Sequence, residues 1–152
     1  MNYQIRKMVA DDSEQVFVLM EELAVFEKYI DSFAITPKIV RQCGFEKNPP
    51  DFYAFVAEMD GDIFGVLVYY YLPYTAQNRP AIYMKELYVA QRARNQQVGE
   101  QLINALKDEA KRHQVQTIKW TVAPWNESGI RFYERLGAVQ NADWLNYELN
   151  VE

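Results

Sequence analysis

The sequence predicts a mixed α/β (α+β) domain, one unit built on a single mixed sheet with helices on both faces. Three observations carry this. Strand-like and helix-like periodicities alternate along the whole chain. Two strand-like runs meet at Asp60-Gly61, a turn signal that calls for an antiparallel hairpin. Strand–helix–strand units fill the second half, where the pairing must then be parallel. At 152 residues the chain is long enough to bury a core without disulfides or metals. No repeat, low-complexity tract or long linker divides it, so 1–152 is read as one domain.

The elements follow in order. Tyr3–Met8 is a short strand. Asp12 stands as a helix N-cap with Gln15 as its capping-box partner, and Val16, Leu19, Met20 and Leu23 recur at helical spacing as far as Phe26 or Lys28. Thr36-Pro37 pairs a cap residue with proline at the first helical position. Ile39, Val40 and Cys43 share a face of that helix, and Gly44 is placed to end it. Phe52–Glu58 and Ile63–Leu72 are the hairpin strands. Pro73–Pro80 is a loop, and Ala81–Val89 a further strand. Val98–His113 is the best helix, with Val98, Leu102, Leu106 and Ala110 four residues apart. Gln116–Val122 is a strand. Asn126 caps a helix running to about Leu136, which Gly137 stops. Trp144–Val151 alternates apolar and polar residues and reads as a last strand.

Composition narrows the function. With 16 basic and 21 acidic side chains the formal charge is −5, which disfavours nucleic acid and suits a cationic small molecule. The single cysteine, Cys43, has no intrachain partner, as expected in a reducing compartment. The start, MNYQIRKMVADD, lacks the apolar core and small-residue site of a secretory leader. The most apolar run, Ile63–Leu72, is far short of the roughly 20 residues that span a bilayer. A cytoplasmic protein that binds neither membrane nor nucleic acid is expected. With no Cys/His cluster, no metal is expected; His113, at a helix end, suits the dipole there. The chain holds 11 Tyr, 8 Phe and 3 Trp, enough for an aromatic core or an aromatic-lined pocket.

Three segments bear on chemistry. YVAQRARNQQVGEQL, residues 88–102, runs from a strand end through a basic loop into an amphipathic helix. Unpaired N–H groups and the dipole at such a helix start attract anions, and Arg92 and Arg94 add charge suited to phosphate; a plain surface loop is the alternative. WNESGIRFYERLGA, residues 125–138, sets Phe132 and Tyr133 two turns into the helix capped by Asn126, where Tyr133 is either a packed aromatic or a functional phenol. IYMKELYV, residues 82–89, carries Lys85 and Glu86 inside an apolar strand. There a charge faces solvent or marks a site.

Together these segments resemble the GNAT superfamily of acetyl-CoA-dependent N-acetyltransferases, over essentially the whole chain. LMEELAVFEK (19–28), CGFEKNPPDFYAFVAE (43–58) and VYYYLPY (68–74) are similar to the spermidine/spermine, or diamine, acetyltransferases and their bacterial relatives. The resemblance implies a mostly antiparallel mixed sheet splayed in the middle. It implies acetyl-CoA as cosubstrate, no metal, and a homodimer, with the last strand as its contact. Coenzyme A pyrophosphate would sit on the loop Arg94, Asn95, Gln96, Gln97, Val98 and Gly99, next to Glu100. The family's first glycine slot there is filled by Gln97. Leu87, Tyr88 and Val89 would flank the pantetheine arm, Leu87 and Val89 through backbone contacts, Asn126 would touch that arm, and Tyr133 would lie beside the sulfur.

The chemistry then asks for few side chains. A primary amine with a pKa near ~10.4 is neutral in about one molecule in 2,500 at pH 7. Glu86 is the candidate for proton removal or amine placement, with a structural salt bridge as its alternative. Tyr133 is the candidate acid for the departing thiolate. Glu27, at the end of the first helix, is a candidate for binding a cationic amine. Where the polyamine enzymes have two adjacent acidic residues, this chain has Lys85 before Glu86. That leans towards a small amine or an amino-acid-like amine whose carboxylate meets Lys85 or Arg79. Two rival readings keep the fold: a non-catalytic binder of a ligand or partner with a weakened phosphate loop, and a protein lysine acetyltransferase. Cys43 has no partner base and reads as a small hydrophobe.

Overall fold

The structure is a computed structural model describing residues 2–152. Two compact units are distinguished, one ending at Thr121 and one spanning Val122–Glu152.

The first unit holds a five-stranded sheet in the order β1-β2-β3-β4-β5. These are β1 (Gln4–Lys7), β2 (Tyr53–Met59), β3 (Asp62–Leu72), β4 (Ala81–Val89) and β5 (Ile118–Lys119). The first four pair antiparallel in sequence order, and β5 pairs parallel with β4. Asp60 and Gly61 both have positive φ, 52° and 85°, as the hairpin turn reading requires. The mixed sheet is as expected, and so is the parallel crossover through the long helix.

Strand alternation sends side chains to two cores. On one face Val56, Val66 and Val68 pack in a cluster with Val16, Leu19 and Met20 of α1 (Ser13–Phe26) and with Val40 of α2 (Pro37–Arg41). On the other face lies α3 (Val98–Arg112), burying Val98, Leu102 and Leu106. Gly65 of β3 makes that approach possible: a Cβ there would stand 3.1 Å from Leu102 and 3.2 Å from Val98. Part of the aromatic content is core: Phe55 and Tyr69 are buried and stack across β2 and β3, and the exposed Tyr53 stacks on Tyr69.

Several local expectations are corrected. Asp12 does not cap α1 with its side chain. Its carboxylate instead accepts from Val9 N–H at 2.8 Å and pairs with Arg6 at 2.8 Å, because a guanidinium from β1 is a stronger partner than a neutral amide. Gln15, freed from a capping box, bridges to Ile63 N–H and Gly61 O. Gly44 does not stop its helix: after α2 the chain continues as a π-helical turn, Gln42–Glu46. A Cβ on Gly44 would come 2.7 Å from the Phe52 ring, so the glycine serves contact rather than termination. Gln116–Val122 is ordered as strand only over Ile118–Lys119.

The second unit contains α4 (Glu127–Arg135). Asn126 caps it, accepting from Gly129 N–H at 3.1 Å, and Gly137 follows at φ 90°, both as expected. Trp144–Val151 is not a strand. Its alternation is present, but among the described residues no strand pairs with it, and Leu145, Tyr147, Leu149 and Val151 are exposed.

Candidate active site

The site begins with the parting of two strands. β5 meets β4 only at Ile82↔Ile118 and Tyr83↔Lys119. Beyond Tyr83, β4 keeps β3 on one side and, among the described residues, has no ladder partner on the other. The register against β3 slips at the same place: Val68 faces Glu86 while Tyr69 faces Met84. Lys85 is thus the extra residue of a β-bulge. The slip decides which donors face the gap. Ile82 N–H points to the β5 side, bonding Thr117 O, while Ala90 N–H bonds Phe64 O on the β3 side. N–H groups alternate along a strand, so the extra residue puts Leu87 and Val89 on the free side and Tyr88 on the paired side. Leu87 and Val89 are the two residues expected to make backbone contacts. Tyr88 sends its ring to the α1 cluster and its hydroxyl to Glu22, at 3.0 Å.

Glu86 is 8% exposed, an unusual burial for a carboxylate in a strand. Burial pushes its carboxyl above the ordinary range, while Lys85 and Tyr29 pull it back. Lys85 Nζ stands 3.6 Å from Glu86 Oε2, and the Tyr29 hydroxyl donates to the same oxygen at 3.5 Å. Glu27 lies in the same field: burial, and then the Glu86 charge, raise its carboxyl too. The structure therefore brings Glu27, Lys85 and Glu86 together. Two carboxylates that resist ionising side by side make a site that gains from a cation. Tyr29 is the residue the sequence reading missed. It lies 57 positions from Glu86, and no local spacing signals the contact.

At the end of β4, Gln91–Ala93 forms a 3₁₀ turn and the chain enters α3 through Gln97. Arg94 donates Nε–H to Val89 O at 3.1 Å and lies over the Tyr88 ring. Gln96 links Tyr3 and Arg92. Asn95 and Gln97 both take positive φ, 62° and 63°, a conformation asparagine tolerates and glycine prefers. Gln97 thus takes a left-handed conformation that glycine adopts without a Cβ penalty. It gives α3 no side-chain cap, so the N–H groups of Val98, Gly99 and Glu100 open the helix with no intrahelical acceptor. An open cavity of about 690 Å³ lies beside the loop, bounded by Leu19, Glu22, Ala90, Gln91 and Arg92 among others. Glu86 is not in its lining.

In the second unit, Asn126 uses its side-chain oxygen on the cap of α4. A Cβ on Gly129 would fall 2.5 Å from its Nδ2, so Gly129 fixes where that amide sits. Phe132 and Tyr133 rings are 5.3 Å apart. Among the described residues no cluster of three or more His, Cys, Asp or Glu could hold a metal, and no helix is long and apolar enough to cross a membrane.

A sequence model of the acetyltransferase (GNAT) family matches residues 16–138. The chain belongs to the GNAT acetyltransferase family. Its GNAT domain is 28% identical, over 159 aligned residues, to a thialysine N-epsilon-acetyltransferase of Mus musculus, covering 98% of this chain and 93% of that protein. It is 27% identical to the spermidine/spermine N(1)-acetyltransferase-like protein 1 of Homo sapiens, covering 99% of this chain but only 23% of that much longer protein. The GNAT fold is seen again in an aminoglycoside N-acetyltransferase solved in complex with CoA, with a TM-score of 0.78, 18% identity, and 97% and 95% of the two chains covered.

Proposed function

We propose that the protein transfers the acetyl group of acetyl-CoA directly to the primary amine of a small molecule. The observation that carries this is the buried Glu86 on a bulged strand whose far edge is left unpaired. The residues fit the cosubstrate. The free N–H groups at the start of α3 and the Arg92 and Arg94 guanidinium groups suit pyrophosphate. Gln97 supports that fit, since its φ of 63° leaves the loop in the shape glycine would give it. When bound, the cosubstrate supplies an activated thioester. Leu87 and Val89 N–H groups would orient its carbonyl and hold the developing oxyanion. Glu86 would take the ammonium proton, directly or through water. Tyr133 would hold the proton that the departing thiolate needs, and Asn126 would offer its amide to the cosubstrate's arm.

For the acceptor, one cation fits better than several. Lys85, exposed beside Glu86, repels a second ammonium group and attracts a carboxylate. An amino-acid-like amine follows, and the mouse relative is named for thialysine. The test is thiol release from acetyl-CoA across a panel of thialysine, lysine, spermidine, spermine and simple diamines. Thialysine or lysine should turn over with higher kcat/KM than spermine. Preference for spermine would remove the role given to Lys85. Acetyl-CoA should also raise the thermal midpoint: at 100 times its Kd the gain is about 2.7 kcal/mol, or roughly 5–10 °C for a domain of this size. No shift at millimolar acetyl-CoA, with no thiol release, would overturn the enzyme reading.

A further inference from the structure

Tyr29 stands at the end of α1, and the way that helix ends fixes it. Lys28 takes a left-handed φ of 68°. Its N–H bonds Val25 O at 3.2 Å and the next N–H, of Tyr29, bonds Ala24 O at 2.9 Å. This pair of bonds is the Schellman ending, ordinarily built on glycine. Here a lysine takes the strained conformation. The carbonyl of Tyr29 is also held, by the N–H and the hydroxyl of Ser32, each at 3.1 Å. Its ring lies 6.4 Å from that of Phe33. With backbone and ring both fastened, the hydroxyl is aimed across the chain at Glu86 Oε2, 3.5 Å away.

We propose that Tyr29 is the positioning residue for Glu86, holding one carboxylate oxygen so that the other is presented to the substrate amine. Both contacts of the carboxylate in this cluster, from Tyr29 and from Lys85, fall on Oε2 and neither on Oε1. A carboxylate held by one oxygen cannot rotate freely about its last bond, and the second oxygen keeps one direction. The hydroxyl donates to the charged form of Glu86, so it favours ionisation against the effect of burial. A hydrogen bond of 3.5 Å is long, and catalytic hydrogen bonds often tighten only in the Michaelis or transition-state complex. The charged and titratable groups facing Glu86 are Glu27 and Tyr29 from the end of α1, Tyr70 from β3 and Lys85 from β4. Of these, Tyr29 and Lys85 are the ones that reach the carboxylate within hydrogen-bond or ion-pair distance.

The inference rests on the reading of Glu86 as the group that handles the amine proton, and its test separates the two. Tyr29→Phe removes one oxygen and keeps the ring on Phe33. The Glu86 side-chain carboxyl is followed by carbon-13 NMR in the ¹³C-labelled full chain, its signal assigned by its loss in Glu86→Gln. In Tyr29→Phe its titration midpoint should rise by about half a pH unit or more. The acid limb of kcat/KM against pH should move up with it, and kcat/KM at pH 7 should fall roughly three- to tenfold. The double variant Tyr29→Phe/Glu86→Gln should be no slower than Glu86→Gln alone, because Tyr29 acts through Glu86. An unchanged Glu86 midpoint, or a Tyr29→Phe loss that persists in the Glu86→Gln background, would overturn the proposal. If the wild-type protein acetylates no amine, the enzyme reading fails, and the NMR midpoint still decides for or against Tyr29.

Discussion

Glu86 illustrates how one side chain can cost stability and confer chemistry. Its carboxyl is raised above its ordinary value by burial, so the folded state binds a proton that the unfolded state has released. Stability from this group is therefore complete below the unfolded value near ~4.5 and is lost as pH rises through the folded value. Glu86→Gln should melt a few degrees above wild type at pH 8, the gap closing by pH 5, while turnover at pH 7 falls at least tenfold. Parallel melting and pH–rate curves check both signs; equal melting at all pH values would deny the burial cost. Tyr133→Phe should behave differently: kcat at least tenfold lower, acetyl-CoA affinity nearly unchanged and the thermal midpoint close to wild type. A collapse of the midpoint would assign Tyr133 to packing instead. The sequence exposed Glu86 because a charge inside IYMKELYV is conspicuous. It could not expose Tyr29, since an aromatic after a helix is common and its partner is 57 residues away.

At the scale of elements, the loop before α3 tests how backbone shape and residue type share a task. Gln97 sits at φ 63° and ψ 17°, which costs a non-glycine residue about 1–2 kcal/mol. Gln97→Gly removes that strain, partly offset by the greater freedom of glycine in the unfolded chain. Acetyl-CoA affinity, read by calorimetry, should stay within about threefold of wild type or tighten; loss of binding would mean the Gln97 side chain is itself a ligand. Local rules made much of this legible. The Asp60-Gly61 turn, the Thr36 and Asn126 caps and the spacing of Val98, Leu102 and Leu106 each need only a few neighbouring residues. Asp12 defied its local rule because Arg6 competes for its carboxylate, and capping patterns do not register a guanidinium on the preceding strand. Gly44 defied its rule because Phe52 needs the space.

At the scale of the whole molecule, the first unit is tied together by a buried carboxylate of a different kind. Glu109 of α3, 3% exposed, receives Lys7 of β1 at 3.1 Å, Tyr71 of β3 at 3.2 Å and Arg112 at 2.6 Å, with His113 at 3.3 Å. Burial would raise its carboxyl, but Arg112 and Lys7 outweigh that and hold it down to about 2. The sign is opposite to Glu86: this group stabilises fully above its unfolded value near ~4.5, and the gain is lost as pH falls towards 2. Glu109→Gln should lower the thermal midpoint at pH 7 by several degrees, with the difference shrinking below pH 4. A constant difference from pH 3 to 8 would contradict it. Pairing was legible at this scale where the Asp60-Gly61 hairpin joins β2 to β3 and one crossover joins β4 to β5. The last expected strand was not, because alternation states which side chains would face a core and says nothing of which strand would lie alongside.

The bulge at Lys85 acts on the strand as a one-letter insertion acts on a reading frame. It changes no side chain, yet every amide downstream is reassigned from one neighbour to the other. The donors it turns outward, at Leu87 and Val89, belong to the main chain, which any residue but proline supplies equally. Substitutions at 87 and 89 that keep the apolar fit should therefore be silent for acetyl transfer. Adding or removing one residue between 84 and 87 should not be, even where the protein still folds. The most exacting part of this site is a matter of counting, and it leaves almost no trace in which amino acids are present.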